Sequence, residues 1–227
     1  MRIVALEEHF SVPDLVSRIA SRTIAERGWP AGDRAPAAVV PTELPDLGAG
    51  RIQAMDAAGI TVEVLSMAGP GADLLDGKDG IAFARDSNDR LARAVSEHPT
   101  RFAGFAHLPL RAPEAAAEEL ERAVRDLGFK GALLNGSTRD RFIDDRSFEP
   151  LLARAEALDV PLYLHPGIPP EAVRKAYYEG LPPPVQFLFG TPAWGWHVDT
   201  AVHVVELSVG GHDDPGGASD GPEFQRG

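Results

Sequence analysis

Ile3-Val4-Ala5-Leu6-Glu7-Glu8-His9 opens the chain as a strand-like run ending in acidic and imidazole side chains, and Val160-Pro161-Leu162-Tyr163-Leu164-His165 is a second such run, closed by Pro166-Gly167. Alternate side chains of a strand share a face, so Glu7 and His9 are expected together, with Glu8 outward and structural. One carboxylate and two imidazoles form a ligand set that suits zinc, iron or manganese. Donors of this kind at the C-terminal ends of two apolar strands decide the fold.

Strand-like and helical runs alternate along the chain. The first strand, 2–9, is followed by a polar, Pro/Gly-rich excursion over 11–47 that holds one helix near 13–27. A helix at 49–58, a strand at 60–68, a helix at 80–98 and a strand at 102–108 come next. Then follow the helix Pro113–Leu127, a strand at 130–135, a helix at 147–158 and the strand 160–165. A Pro-rich loop and a helix at 195–209 complete the pattern. Ala116, Leu120, Val124 and Leu127 recur at helical spacing; Pro113 suits a first turn, Gly128 a C-terminal cap and Ser147 an N-cap. Near-continuous apolar strands between helices predict a parallel sheet with covered faces. An open doubly wound sheet would place glycines after its first strand. Glu7-Glu8-His9-Phe10 stands there instead, and functional side chains at the ends of strands 1 and 5 fit a TIM-type (β/α)8 barrel.

The 227 residues, 44% of them hydrophobic and 25% charged, are enough for one domain with a sizeable core. A net charge of -12 argues against nucleic acid or an anionic membrane surface as partner. The absence of cysteine excludes disulfides and thiolate metal sites. No apolar stretch approaches the roughly 20 residues of a membrane helix. The first strand carries acids by residue 7, unlike a signal peptide, so a cytoplasmic location is expected.

Ala5-Leu6-Glu7-Glu8-His9-Phe10 resembles the opening of the aromatic-acid decarboxylases of the amidohydrolase superfamily, the group of γ-resorcylate and 2,3-dihydroxybenzoate decarboxylases. Aminocarboxymuconate semialdehyde decarboxylase is a more distant relative. The resemblance continues through His98-Pro99-Thr100-Arg101-Phe102-Ala103-Gly104-Phe105, Leu108-Pro109-Leu110 and Leu127-Gly128-Phe129-Lys130-Gly131-Ala132. It extends to Leu162-Tyr163-Leu164-His165-Pro166, Pro192-Ala193-Trp194-Gly195 and Val198-Asp199-Thr200-Ala201-Val202-His203, and so covers about residues 1–209. It implies Glu7, His9 and His165 as metal ligands, with zinc expected ahead of manganese. It further implies a small aromatic or unsaturated carboxylic acid as substrate, non-oxidative loss of carbon dioxide without an organic cofactor, and homo-oligomers. The same scaffold supports hydrolysis of an amide, ester or lactone by metal-activated water. A reading from another class is a non-catalytic remnant that pairs edge to edge with itself or a relative.

The family pattern also places a histidine after strand 6 and an aspartate after strand 8, and neither segment has a counterpart here. From residue 165, 227 − 165 = 62 residues remain, whereas three further βα units at ~30 residues each need about 90. Gly210 to Gly227 holds six glycines and two prolines with no apolar run and reads as disordered tail. The expectation is a truncated barrel of about five strands over 1–209, of the kind a reading-frame shift produces, with weak metal binding and little activity. His212 lies in the tail, where no strand positions it.

Further candidates follow from position. Phe10 and Trp194 are read as contacts for an aromatic substrate or as packing residues. Asn135, ending strand 4, either faces the pocket or makes a turn. His107 reads as a satisfied core or rim histidine and His98 as part of a helix–strand turn. His197 and His203 lack the i, i+4 spacing of a helical metal pair, so packing is expected. Glu119, Glu121, Arg122 and Arg125 read as a solvated helix face. The 11–47 excursion either covers the active-site face or is a surface loop.

Overall fold

The computed structural model describes residues 1–28 and 43–209. The expected disordered tail over 210–227 and the centre of the 11–47 excursion lie outside the described residues. Five strands are found in the described part: β1 (Val4–Phe10), β2 (Val62–Met67), β3 (Phe102–Gly104), β4 (Ala132–Asn135) and β5 (Leu162–His165). Every pairing is parallel, β1 with β2, β2 with β3, and β4 with β5. A bridge from Ala106 to Ala132 joins the two sheets, so the strands lie side by side in the order 1 to 5. Helices alternate with the strands, and the arrangement is a TIM-type barrel of which five strands are described.

The helices are α1 (Pro13–Val16), α2 (Ser21–Arg27), α3 (Ala49–Ala58), α4 (Gly77–Glu97), α5 (Pro113–Arg125), α6 (Glu149–Leu158), α7 (Glu171–Tyr178), α8 (Pro183–Gly190) and α9 (Gly195–Val209). The helix expected over 13–27 is therefore two pieces, broken between Ser17 and Ala20. The strand expected over 102–108 pairs regularly only as far as Gly104. The Pro-rich stretch after β5, expected to be loop, holds α7 and α8. There proline starts helices rather than preventing them: Pro170 precedes α7, and Pro183 occupies the first turn of α8, where its missing N–H costs nothing. Asp145, not Ser147, caps the turn before α6, its carboxylate accepting from the Ser147 backbone N–H at 2.9 Å.

Strand β2 is buried along its whole length, as a central parallel strand with both faces covered should be. Leu65, Met67, Leu91, Leu120, Leu134 and Leu151 are almost inaccessible and bring β2 and β4 together with α4, α5 and α6. The solvated face expected for α5 holds for Arg125 but not for Glu119, which is 1% exposed. Its carboxylate accepts from Asn88 Nδ2 (2.8 Å) and from Arg122 Nε (2.8 Å) and Nη2 (2.7 Å). Asn88 in turn receives the backbone N–H of His107 (2.8 Å) and donates to its carbonyl (2.9 Å). A buried carboxylate is tolerable because every lone pair that leaves water meets a donor.

Candidate metal centre

The end of β1 does not follow plain alternation. Ala5 pairs with Glu63 and Glu8 with Leu65, so β1 takes three steps where β2 takes two, and Glu7 sits at a φ of 64°. This bulge, not an i, i+2 repeat, turns Glu7 and His9 toward one point. Arg51 of α3 anchors the bent strand: Nη2 donates to the His9 carbonyl at 2.6 Å and Nη1 to Glu63 at 3.0 Å. Both side chains of that ion pair are about nine-tenths buried, which makes the brace hard to displace.

Glu7, His9 and His165 each offer a donor atom within 4.8 Å of the others. The two histidine Nε2 atoms are 3.2 Å apart, and His165 Nε2 is 3.4 Å from Glu7 Oε1. The Nδ1 contacts assign the tautomers. His165 Nδ1 lies 2.6 Å from the Pro166 carbonyl, which can only accept, so Nδ1 carries the proton. His9 Nδ1 lies 3.0 Å from Ser66 Oγ, a hydroxyl that can accept its proton while turning its own toward the Glu8 carbonyl at 3.5 Å. With Nδ1 protonated in both rings, the two Nε2 lone pairs face each other across 3.2 Å, an arrangement that favours a cation between them. Two imidazole nitrogens each about 2.1 Å from one ion, about 100° apart, are themselves about 3.2 Å apart. Spacing and donor chemistry both fit a divalent ion. Burial holds the pKa of His9 below its ordinary value, with the neighbouring His165 adding to the effect, and burial does the same for His165. Both rings stay neutral and ready to ligate at neutral pH.

The other expected contacts divide. Phe10 is 1% exposed and packs within the main core. Asn135 ends β4 directly beside His165 in register and is half-buried. Trp194 is 54% exposed just before α9, whereas Trp196, two residues further, sets its ring edge-on to His165 with centroids 6.0 Å apart. The Trp196 indole N–H is buried without an acceptor. His98 caps α4, His107 is buried, His197 is exposed, and His203 is buried under Phe142 with ring centroids 4.5 Å apart. Three residues of the site escaped the sequence reading: Ser66, Tyr163 and Trp196. Ser66 pairs with His9 in register, and Tyr163 stands two residues before His165 on the same strand face, so alternation pointed to the latter. Nothing in the sequence separates Trp196 from Trp194.

The amidohydrolase family profile matches residues 33–218. The γ-resorcylate decarboxylase of Rhizobium sp. is 38% identical over 216 residues, covering 92% of this chain and 61% of that protein. The decarboxylase orsB of Emericella nidulans is 35% identical over 218 residues, covering 92% and 60%. A crystal structure of a dihydroxybenzoic acid decarboxylase from Polaromonas sp. JS666, with bound manganese and the inhibitor 2-nitroresorcinol, superposes with a TM-score of 0.72 at 34% identity. That match covers 91% of this chain and 60% of that one. The chain therefore spans about 60% of the length of the curated relatives it matches. Among the described residues no helix is long and apolar enough to cross a membrane.

Proposed function

The chain belongs to the amidohydrolase family, and on that premise we propose that it carries the metal-binding half of a carboxy-lyase centre for a small hydroxylated aromatic acid. Glu7, His9 and His165 are its ligands. The observation that carries this reading is the pair of Nε2 atoms 3.2 Å apart beside a carboxylate. Manganese is the preferred ion, in place of the zinc expected from sequence, because the solved relative holds manganese. A divalent ion bound there supplies Lewis-acid polarisation of a substrate carboxylate or phenol oxygen. Ser66 and the Pro166 carbonyl hold the imidazoles in the ligating tautomer by accepting a hydrogen bond from the nitrogen that does not face the ion. Trp196, rather than Trp194, closes the substrate side of His165 and offers its unpaired indole N–H to a ligand oxygen.

The net reaction takes one proton onto the ring carbon as carbon dioxide leaves. Among the described residues no fourth metal-ligating side chain joins the cluster. The chain by itself is accordingly expected to hold its ion loosely and to turn over slowly. Manganese titration of the purified chain, followed by measurement of carbon dioxide release from 2,6-dihydroxybenzoate, tests both halves. Weak saturable binding with trace release supports the reading. No binding at millimolar manganese removes the metal centre, and an acid released by hydrolysis of an ester or lactone, without carbon dioxide, replaces lyase by hydrolase.

A further inference from the structure

Glu7 is held in a conformation that a glutamate seldom adopts. Its φ of 64° lies in the left-handed region, which costs a residue with a Cβ free energy unless surrounding contacts impose it. Its side chain is also the most exposed of the three donors, 43% against 12% for His165. A mobile carboxylate on a bulged strand makes a poor ligand, because the entropy of fixing it is set against every bond it forms. What fixes it lies 156 positions away in the chain: the Tyr163 hydroxyl donates to Glu7 Oε2 at 2.7 Å.

The tyrosine is itself braced. Its ring stacks on Phe105 with centroids 5.9 Å apart and planes 29° from parallel, against the small cluster of Val64, Phe105 and Leu133. It shares β5 with His165 and, two residues away, projects from the same face. The strand that supplies one ligand thereby orients another. With Oε2 committed to the phenol, Oε1 is the oxygen turned toward His165 Nε2.

We propose that Tyr163 is a positioning residue for the metal centre: it clamps one carboxylate oxygen of Glu7, so that Glu7 ligates through the other oxygen alone. This rests on the metal-centre reading above and extends it to a residue outside the ligand set. Tyr163→Phe removes the hydroxyl and keeps the ring on Phe105. Losing an outer-shell hydrogen bond of this kind commonly weakens metal affinity 10- to 100-fold, and about 10-fold is expected here.

The test is a manganese titration of the full chain, by calorimetry and by the electron paramagnetic resonance of the bound ion, for wild type, Tyr163→Phe, Glu7→Gln and the double variant. Tyr163→Phe should melt within a few degrees of wild type, bind about 10-fold more weakly and show an altered zero-field splitting. In the Glu7→Gln background, adding Tyr163→Phe should change affinity by less than about twofold, because the tyrosine acts only through the carboxylate. Wild type that binds with unchanged affinity and spectrum in Tyr163→Phe overturns the clamp alone. Equal losses in the wild-type and Glu7→Gln backgrounds overturn it too, by showing a general structural role. If wild type itself binds nothing, the metal centre falls and the clamp with it.

Discussion

Two groups of histidines in this molecule share burial and a depressed basicity, yet their ring nitrogens are used in opposite ways. His107 is fully buried, and its Nε2 accepts the Ala72 backbone N–H at 2.9 Å. His203 does likewise with the Ile143 N–H at 3.0 Å. Their lone pairs are spent inside the fold. At His9 and His165 the Nδ1 atoms are turned to Ser66 and Pro166, and the Nε2 atoms face each other instead of a backbone N–H. A lowered pKa therefore does not mark a functional histidine by itself; the occupancy of its second nitrogen does. The close fit around His107 makes the same point, since a Cβ at Gly71 would lie 2.5 Å from His107 Nε2. No room is left there for an ion.

The contrast breaks first under substitution of a ligand. His165→Ala should reduce manganese affinity by more than about 100-fold, while the melting temperature falls less than on loss of a core residue, because the strand it ends is only partly buried. Survival of stoichiometric binding in a calorimetric titration would erase the distinction between the two groups. His107→Ala should invert the pattern. It strands the Ala72 N–H and opens a void, costing about 2–4 kcal/mol in denaturant unfolding, and leaves metal affinity per folded molecule unchanged.

Acid sharpens the comparison without mutation. The folded pKa of His107 lies below its ordinary 6.5, so the unfolded chain takes up a proton that the native state refuses. Its contribution is intact above pH 6.5 and is lost as pH falls from there toward the folded value, at up to about 1.4 kcal/mol per pH unit. Unfolding free energies at pH 7.5 and 5.5 should differ less in His107→Asn than in wild type, and equal slopes would discount the buried imidazole. Ser66→Ala should weaken manganese binding about 10-fold by releasing the His9 tautomer, with rescue by Ser66→Thr. The smallest effect belongs to the tryptophans: for 2-nitroresorcinol, the inhibitor held by the Polaromonas relative, Trp196→Phe should raise any dissociation constant measured by calorimetry by roughly 3- to 10-fold, about the worth of one hydrogen bond. Trp194→Phe should leave it unchanged, and equal responses would take Trp196 out of the substrate pocket.

Much of the scaffold was legible because it rests on local physics. The apolar run at Val62–Met67 is a strand buried on both faces and Leu162–His165 a partly buried one paired with β4, while Pro113 opens its helix by backbone geometry alone and Asp126, ahead of the expected Gly128, caps it. Where local signals were misread, the reason is physical too. The Pro-rich stretch after β5 reads as loop, although at Pro183 a proline starts a helix. Glu119 was placed with its charged neighbours on a wet face, although three donors from Asn88 and Arg122 make its burial tolerable.

By itself the sequence determined which residue types end the strands, one acid and two imidazoles, and the alternation that sets those strands in parallel. Only the tertiary structure decided that Glu7 leaves the regular strand at a bulge, that Tyr163 clamps it, that Ser66 turns His9, and that Trp196 instead of Trp194 meets His165. These are contacts between segments as many as 156 positions apart. Their hydrogen bonds exist only once the sheet has curved enough to bring β1 and β5 face to face, and no local preference of the chain encodes that meeting.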